Sequence, residues 1–213
     1  MMTDIFTHTE KEKIMNLKLK AIARLEVWFE KDSYALLHLV VAGGAFVSWF
    51  YNKTPKDIDI FVLNDANTRR LVRDLLELRG FKSKDTEYMK QTNDGAKHVQ
   101  EVWEGTFMGS VYQFIFTDCK TREELLADFD YKHCTVSYFR DKLYITRTAY
   151  DAIGDRTLIV HNDKVQVEWR KEKFLRKGWT EIVAKVDEQF VPWAKYSTNH
   201  SVDRDSFRPA IIT

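Results

Sequence analysis

The sequence predicts a mixed α/β (α+β) domain with a mixed sheet, a β-rich middle and a helical appendage at the C-terminus. Two observations support this fold class. Segments with apolar residues every three or four positions alternate with short apolar runs in the first half, and several short strand-like segments follow one another in the middle. The composition, 44% hydrophobic and 31% charged over 213 residues, is typical of one large or two small folded domains.

Helices and buried strands alternate in the first half of the chain. The apolar stripe Ile14, Leu17 and Ala21 predicts the first helix, and the apolar run LLHLVVA predicts a strand. Asn64 or Asp65 caps the third helix of this half. The predicted elements are a helix over 10–31, a strand over 36–42, a two-turn helix over 45–52, a strand over 57–63 and a helix that ends at Gly80.

The second half begins with three short predicted strands, YMKQT, HVQEVWE and VYQFIFT. Thr121 followed by Glu124 has the spacing of a capping box and predicts a helix over TREELLADF. The segments DYKHCTVSYF and KLYITRT predict a hairpin across Arg140–Asp141, and a last helix covers roughly residues 167–176. We expect the tail after residue 192, which has no usable period, to be irregular or partly mobile.

Charge and cysteine content exclude several functional classes. The net charge is +1, so no global field draws the chain to nucleic acid or membrane. Cys119 and Cys134 are too far apart for a zinc knuckle, and there is no disulfide framework. The N-terminus lacks the features of a signal peptide, and no apolar run approaches the ~20 residues of a membrane span. We therefore expect a soluble protein of the cytoplasm that does not enter membranes.

Two carboxylates in the segment KDIDIF are the first functional candidates. Residues two apart on a strand face the same side, so Asp57 and Asp59 project together while Ile58 and Ile60 enter the core. Paired carboxylates suit Mg²⁺, which prefers oxygen ligands and substrate phosphates. The polar face of a half-exposed strand would explain the same pattern without a ligand.

The glycine pair Gly43-Gly44, between a buried strand and a short helix, is the second candidate. Glycine lets the backbone approach a phosphate closely, and a helix N-terminus favours its charge. A tight strand-to-helix turn without a ligand is the simpler alternative. Together, the glycine pair and the Asp57-x-Asp59 strand place a phosphate site and metal ligands at one end of neighbouring strands.

The segment VVAGGAFVSWFYNKTPKDIDIFV resembles the signature of the DNA polymerase beta-like nucleotidyltransferase superfamily, and also the glycine-pair and D-x-D element of CCA-adding and poly(A) polymerase-type enzymes. The resemblance implies a nucleotidyltransferase-type fold in which Asp57 and Asp59 bind one or two Mg²⁺ or Mn²⁺ ions. It further implies that the glycine pair and Ser48 hold the NTP phosphates, with Lys53 or Lys56 as counter-charge.

A longer stretch, from VYQFIF to RKEKFLRKGW, is similar to uncharacterised nucleotidyltransferase-like proteins of large DNA viruses and phages. Many superfamily members carry a third metal-binding Asp on the strand that corresponds to VYQFIF, where this chain has Gln113. Asp130 is our candidate for the third carboxylate, as metal ligand or as nucleotide-positioning residue. Asp118 and Asp128 are the alternatives, and Asp130 could also merely cap a turn.

Residues 164–177 carry six basic and two acidic side chains, with aromatic residues between them. Such a segment can hold triphosphate or nucleic-acid phosphates, and Lys173 is our candidate for nucleotide contact. A solvated helix face with its aromatic residues packed inward is the alternative.

The resemblance implies a metal-dependent nucleotidyltransferase that moves a nucleoside monophosphate from an NTP to an acceptor hydroxyl of RNA, protein or a small molecule, with release of pyrophosphate. The alternatives are an inactive member of the fold that binds a nucleotide or a partner protein, and a toxin or antidefence factor that modifies host RNA or protein. A viral protein would act in the host cytoplasm. We expect three parts: an N-terminal helix packed on the core (1–32), the nucleotidyltransferase-like domain (33–160), and a C-terminal helix and tail (161–213).

Overall fold

The computed structural model describes residues 6–31, 33–84, 98–165, 168–182 and 210–212. The helices are α1 (His8–Glu26), α2 (Gly44–Phe50), α3 (Ala66–Leu78), α4 (Arg122–Ala127), α5 (Arg147–Asp155) and α6 (Glu168–Arg176). The strands are β1 (Leu39–Ala42), β2 (Ile58–Val62), β3 (Lys82–Ser83), β4 (Val99–Phe107), β5 (Ser110–Thr117), β6 (Ser137–Phe139), β7 (Lys142–Ile145), β8 (Thr157–Leu158), β9 (Thr180–Glu181) and β10 (Ala210–Ile212).

Eight of these strands form one mixed sheet in the order β10-β7-β6-β1-β2-β5-β4-β3. β2 and β5 are parallel and every other neighbouring pair in this sheet is antiparallel. β8 and β9 form a separate parallel pair. The predicted mixed α/β class is thus confirmed.

The two faces of the central strands bury different sets of side chains. On the first face, Ile58 and Ile60 of β2 join Phe114 of β5 in the largest apolar cluster, which also contains the buried sides of α1, α2 and α3. On the second face, Phe61 and Ile115 pack with apolar residues of α4. This second face changes from apolar to polar along the strands, as described below.

Local sequence signals explain most element boundaries. Thr121 accepts a hydrogen bond from the backbone of Glu124, and the Glu124 side chain accepts one in return, so the predicted capping box of α4 is confirmed. Asp65 caps α3 through the Thr68 amide. The predicted turn at Arg140–Asp141 joins β6 and β7, and both residues have positive φ.

Several predicted boundaries differ from the structure. Residues 34–38 form a 3-10 helix, so β1 is shorter than the predicted strand, and a second 3-10 helix at Lys132–Thr135 replaces the first half of the predicted hairpin strand. Helix α5 was not predicted. Ala210–Ile212 in the tail form an edge strand, not irregular chain, and the predicted strand YMKQT lies outside the described residues.

None of the helices in the described ranges is both long enough and apolar enough to cross a membrane.

Candidate active site

A row of directly opposed residues crosses the second face of the sheet at its polar end. The pairs Ser137–Tyr144, Ala42–Ser137, Ala42–Asp59, Asp59–Gln113 and Gln113–Glu104 are neighbours in register. Side chains in one such row face the same side of a sheet. We call these six residues the polar row: Tyr144, Ser137, Ala42, Asp59, Gln113 and Glu104.

Asp59 lies in the middle of the polar row, and Asp57 directly precedes β2, close enough for its charge to act on Asp59. Burial, together with the negative charge of Asp57, raises the pKa of Asp59 to about 7, while the cations Arg170 and Lys173 act in the opposite direction. Two carboxylates that repel each other in a half-buried setting form a site that favours a cation. The structure therefore brings Asp57 and Asp59 together as the sequence predicts.

Gly43 makes room for the Asp59 carboxylate. Its φ of +87° and ψ of −150° lie in a region that side chains rarely adopt, and a Cβ at this position would lie 3.0 Å from Asp59 Oδ2. Gly44 differs, because a Cβ there would meet no atom within 4 Å. Gly43 thus fits closely against the carboxylate, whereas Gly44 faces open space at the start of α2.

Ser48 and the two lysines next to β2 lie around this glycine pair. Ser48 is half-buried and follows Gly44 by four residues, which places both on one side of α2. Lys56 is exposed, and its charge is close enough to contribute to the lowered pKa of Glu104. Lys53 is exposed, and its backbone amide donates to the Ser48 carbonyl.

Helix α6 brings positive charge to the carboxylates. Partial burial of the Lys173 amine lowers its pKa, and the cations Lys177 and Arg170 act in the same direction, while Asp57 opposes the shift. Trp169 is 41% exposed on the same helix, with Lys173 Nζ 5.9 Å from its ring centroid. Lys173 therefore lies within electrostatic range of Asp57, as its predicted role requires.

Arg170 connects α6 to Asp130. Its Nε donates to Asp130 Oδ2 at 2.6 Å and a second nitrogen donates to Oδ1 at 3.1 Å, in a bidentate ion pair. Asp130 is 4% exposed and also accepts from the Tyr131 amide. Within the described residues, Asp57, Asp59 and Asp130 do not form a group of ligand atoms that could share one metal ion. The Asp130 carboxylate instead holds Arg170, whose charge opposes the rise in the pKa of Asp59.

Gln113 on β5 is the register partner of Asp59. This is the residue that stands where the resemblance implies a third metal-binding Asp. Its amide donates to Glu104 Oε2 at 2.7 Å, and Lys84 Nζ lies 2.7 Å from Glu104 Oε1. The hydrogen bond from Lys84 is the main cause that lowers the pKa of Glu104, and Gln113 adds to it. The polar row therefore does contain another carboxylate, Glu104, but it lies on β4 and not on β5.

The two alternatives for the third carboxylate lie elsewhere. Asp118 and Asp128 both contact His98, at distances of 2.6 Å and 3.1 Å. These contacts lie beyond the C-terminal end of β5, whereas Asp59 pairs with Gln113 near its beginning.

Sequence reasoning missed two features of this site. It treated Arg170 as one of six cations without a partner, because the spacing of basic residues on a helix does not reveal which of them meets a distant carboxylate. It also missed Glu104, whose signal is the alternation in HVQEVWE, where Val102 and Glu104 share a face.

The site combines two carboxylates, a glycine turn and two cations on a facing helix. This arrangement can hold a divalent cation and the polyphosphate that such a cation accompanies. Carboxylates bind the cation, and Arg170 and Lys173 offer donors to phosphate oxygens.

Comparison with a family model gives a match over most of the chain. The model described as "Gad2: Gabija anti-defense 2 family protein" matches residues 11–156. The comparison with curated protein sequences finds no match.

Comparison with solved structures gives matches to tRNA-processing nucleotidyltransferases. A Thermotoga maritima CCA-adding enzyme complexed with tRNA has a TM-score of 0.53 at 13% identity, over 84% of this chain and 43% of that one. A tRNA-processing enzyme complex has a TM-score of 0.50 at 14% identity, over 79% and 43%. A tRNA nucleotidyltransferase with a primer tRNA and an ATP analogue has a TM-score of 0.49 at 12% identity, over 78% and 46%.

The chain spans less than half the length of each of these structures. At such identities the likeness concerns the fold alone, which is nucleotidyltransferase-like.

Proposed function

Because the chain belongs to the Gabija anti-defense 2 family and places two neighbouring carboxylates in a nucleotidyltransferase-like fold, we propose that it is a metal-dependent nucleotidyltransferase that acts against the Gabija defence. It moves a nucleoside monophosphate from an NTP to an acceptor hydroxyl of RNA, protein or a small molecule. As a viral or phage protein it would act in the host cytoplasm. The observation that carries the proposal is the Asp59 carboxylate, seated against Gly43 beside Asp57 and within range of Arg170 and Lys173.

The residues present fit a hard divalent cation. Asp57 and Asp59 offer carboxylate oxygens at the beginning of β2, and the raised pKa of Asp59 reflects burial and repulsion from Asp57 that a cation would relieve. Mg²⁺ or Mn²⁺ bound there would neutralise charge on the phosphates and lower the pKa of the acceptor hydroxyl.

The chain's other residues bind and orient the triphosphate. The backbone at Gly43 and Gly44, at the start of α2, faces the phosphates, with Ser48 one turn further along the helix. Lys56, next to Asp57 in the sequence, and Lys173 on α6 supply positive charge near Asp57. The open space at Gly44 leaves room for a phosphate oxygen against the backbone.

The reaction is an in-line displacement at the α-phosphorus. The acceptor oxygen forms a new bond to the α-phosphorus, and the bond from that phosphorus to the oxygen bridging to the β-phosphate breaks. Pyrophosphate leaves and the hydroxyl proton passes to solvent. Lys173 compensates the charge of the leaving pyrophosphate from α6.

Asp130 positions Arg170 in this proposal. The bidentate contact holds the guanidinium near enough to Asp59 for its charge to act on that carboxylate, and from there it can bind a phosphate oxygen of the nucleotide. The alternative of direct metal ligation by Asp130 requires Arg170 to release the carboxylate first.

Two observations favour a second candidate, a catalytically inactive member of the fold that binds a nucleotide or a partner protein. Gln113 occupies the place beside Asp59 where a third carboxylate is expected, and Arg170 already engages Asp130. Such a protein would bind its target without transferring a nucleotide.

Nucleotide transfer is tested directly with each labelled NTP, Mg²⁺ or Mn²⁺, and separate RNA, protein and small-molecule pools. We expect pyrophosphate release and label transfer by the wild type, and loss of at least about 100-fold in the Asp57→Asn and Asp59→Asn variants. Asp155→Asn, at the exposed end of α5, is the matched control and should keep full activity. Equal transfer by the wild type, the control and both aspartate variants would exclude a metal-binding role for Asp57 and Asp59.

A cell-based experiment separates the two candidates. Each variant is expressed together with the Gabija system, and protection against that defence is measured. The enzyme proposal predicts that Asp57→Asn loses both transfer and protection. Protection that survives in a transfer-dead Asp57→Asn variant would favour the binding module.

A further inference from the structure

We infer that His98, Asp118 and Cys119 form a binding site for a borderline divalent cation of the Zn²⁺ type, separate from Asp57 and Asp59. One nitrogen, one oxygen and one sulfur from these residues all lie within 4.8 Å of one another. Within the described ranges, this is the one group of three or more potential ligands that converges so closely. Imidazole, carboxylate and thiolate together are ligands that Zn²⁺ accepts in tetrahedral sites, whereas Mg²⁺ avoids sulfur.

Asp128 contacts the other ring nitrogen of His98. His98 Nδ1 and Asp118 Oδ1 lie 2.6 Å apart in a hydrogen bond, which a bound cation would replace, and His98 Nε2 lies 3.1 Å from Asp128 Oδ2. That Asp128 oxygen is shielded from solvent, and its contact with Nε2 is not yet aligned as a hydrogen bond within the described part of the chain. A metal-binding histidine usually presents its other ring nitrogen to a carboxylate, which fixes the tautomer and the ring plane. We therefore assign Nδ1 to the cation and make Asp128 a positioning residue.

The fold presents these side chains from three elements. His98 directly precedes β4, Asp118 and Cys119 follow β5, and Asp128 is the C-cap of α4. Backbone hydrogen bonds hold the loop ends together, since the Asp118 amide donates to the His98 carbonyl at 3.0 Å and the Asn64 amide to the Cys119 carbonyl at 2.7 Å. The ligands are therefore held close together before a cation arrives.

Access and charge suit a cation that enters from solvent. Asp118 is exposed, His98 is half-buried, and Cys119 is 2% exposed at the inner end of the group. Burial raises the pKa of the Cys119 thiol to about 11, and the charge of Asp118 acts in the same direction. When the sulfur–metal bond forms, the thiol proton and the waters of the cation leave to solvent. Three protein ligands leave the fourth tetrahedral position to water.

This site is distant from the proposed catalytic carboxylates. Gln113 is the register partner of Asp59, and Cys119 lies six residues further along the same chain direction. At ~3.3 Å per residue, the two places are roughly 20 Å apart. A cation at His98 would link β4, β5 and α4 without reaching Asp59, so its role is structural.

Titration of the full chain with Co²⁺, followed by displacement with Zn²⁺, tests the inference. We expect one equivalent of Co²⁺ to produce a thiolate-to-cobalt charge-transfer absorption that Zn²⁺ abolishes and excess Mg²⁺ does not. Cys119→Ser should lose this absorption, and Cys134→Ser, the matched buried cysteine, should keep it. Asp128→Asn should keep the absorption but weaken Co²⁺ affinity 10–100-fold.

A second pair of variants keeps the test decisive if Cys119→Ser fails to fold. Asp118→Asn changes an exposed side chain and should weaken Co²⁺ affinity at least about tenfold, whereas the control Asp155→Asn should bind as the wild type does. No thiolate absorption in the wild type, absorption that persists in Cys119→Ser, or unchanged affinity in Asp118→Asn would each overturn the site. Asp59→Asn should bind Co²⁺ here normally, so the result is independent of the proposed transferase activity.

Discussion

Gly43 and Asp59 fit closely against each other in the candidate active site. The carboxylate fills the space that a Cβ on Gly43 would need, and the backbone at Gly43 adopts a conformation that suits glycine. Asp59 is therefore held by the turn that also begins α2. The geometry of the carboxylate pair thus depends on a residue without a side chain.

Replacement of Gly43 by alanine should affect both stability and activity. We expect Gly43→Ala to lower the free energy of unfolding by about 1–3 kcal/mol, because the backbone conformation is strained for a side chain and the new methyl group crowds Asp59. Transfer activity should fall with it. Urea unfolding and the transfer assay measure the two effects.

Gly44→Ala is the matched control, since its Cβ would meet no atom within 4 Å. We expect its stability to stay within about 1 kcal/mol of the wild type, because alanine is the better helix former. Gly44→Val should keep the fold and weaken NTP binding if the phosphates approach this backbone. An equal loss of stability in Gly43→Ala and Gly44→Ala would contradict the assignment of strain to Gly43.

His133 is a buried imidazole whose surroundings favour its neutral form. It lies in an aromatic cluster with its ring centroid 4.1 Å from that of Trp179, and neither ring nitrogen has a hydrogen-bond partner within the described residues. Burial lowers the pKa of His133 to about 3, and the charge of Arg170 acts in the same direction. The unfolded chain therefore binds a proton at this position more readily than the folded chain.

This difference predicts a pH dependence of stability. Above pH ~6.5 both states are neutral at His133, and as the pH falls from ~6.5 towards ~3 only the unfolded state gains the proton, so the free energy of unfolding decreases by up to about 1.4 kcal/mol per pH unit. His133→Phe should lack this acid-dependent loss of stability, so at pH 5 it should unfold at a higher urea concentration than the wild type. Urea unfolding at pH 5 and pH 8 measures it.

His8→Phe is the control, because the His8 side chain is 89% exposed. The same loss of stability between pH 8 and pH 5 in His133→Phe and in the wild type would rule out His133 as its source.

The carboxylate pair and the glycine turn could be predicted from sequence because their geometry is local. Asp57 and Asp59 share a strand, and Gly43 is separated from them by one short helix. Their catalytic and binding roles stay predictions. Arg170 could not be assigned, because its partner Asp130 is forty residues away and no periodicity connects them.

Helix α6 is the element that brings positive charge near the carboxylates of the candidate active site. None of its residues is buried, yet Phe174 packs in the aromatic cluster of Tyr131 and Trp179, and Arg170 is fixed by Asp130. The helix is therefore attached by one aromatic contact region and by two ion pairs, Arg170–Asp130 and Lys171–Glu181. The basic segment 164–177 has features of both predicted alternatives. Phe174 packs inward, as in a solvated helix face, while Lys173 lies near Asp57, as a phosphate-binding role requires.

Charge reversal at two positions of α6 should give different results. Lys173→Glu places a negative charge near Asp57, so we expect at least about tenfold weaker NTP binding and a salt dependence reduced by about one unit in the log–log slope. Arg176→Glu is the matched control, because Arg176 is exposed and lies 3.8 Å from Glu172 in an ion pair. NTP affinity at several salt concentrations distinguishes the two. Equal effects would indicate a general charge effect of the helix.

The Asp130–Arg170 pair should behave as a coupled unit. Asp130→Asn removes a buried partner, and we expect a loss of about 3 kcal/mol in the free energy of unfolding. Arg170→Gln leaves the Asp130 charge buried without its partner and should cost a similar amount, while the double variant should cost less than the sum.

Kinetics of the same variants tests the positioning role. Each single variant should raise the KM for NTP more than it lowers kcat, because the pair orients a phosphate-binding group. A loss of Mg²⁺ affinity in Asp130→Asn but not in Arg170→Gln would instead support direct metal ligation by Asp130.

At the level of elements, prediction succeeded where the sequence carries an apolar stripe or a capping signal. The apolar stripe predicts α1, and N-cap residues predict the starts of α3 and α4. Helix α5 was not predicted, although Thr146 caps it by accepting a hydrogen bond from the Ala149 amide. The predicted strand KLYITRT extends past Ile145, where β7 ends, and so covers the start of the helix.

The whole molecule places two distinct sets of polar residues at opposite ends of one sheet. The polar row and α6 lie near the beginning of β5, and the His98 group lies beyond its end. The sequence predicts the strands but not their order, because the neighbours of β1 in the sheet are β2 and the distant β6. For that reason the sequence alone does not decide between Asp130 and its alternatives, Asp118 and Asp128.

The order of the strands also has a consequence for how the protein acquires its activity. The polar row draws its members from six strands, and its centre requires the parallel pair of β2 and β5, between which α3, β3 and β4 occur in sequence. Contacts between residues far apart in sequence form slowly, since a large loop must close before they are made. Helices α1 and α3 need only local contacts. A chain diluted out of denaturant should therefore regain its helical signal well before its active site, and catalysis should return only with the slowest folding phase.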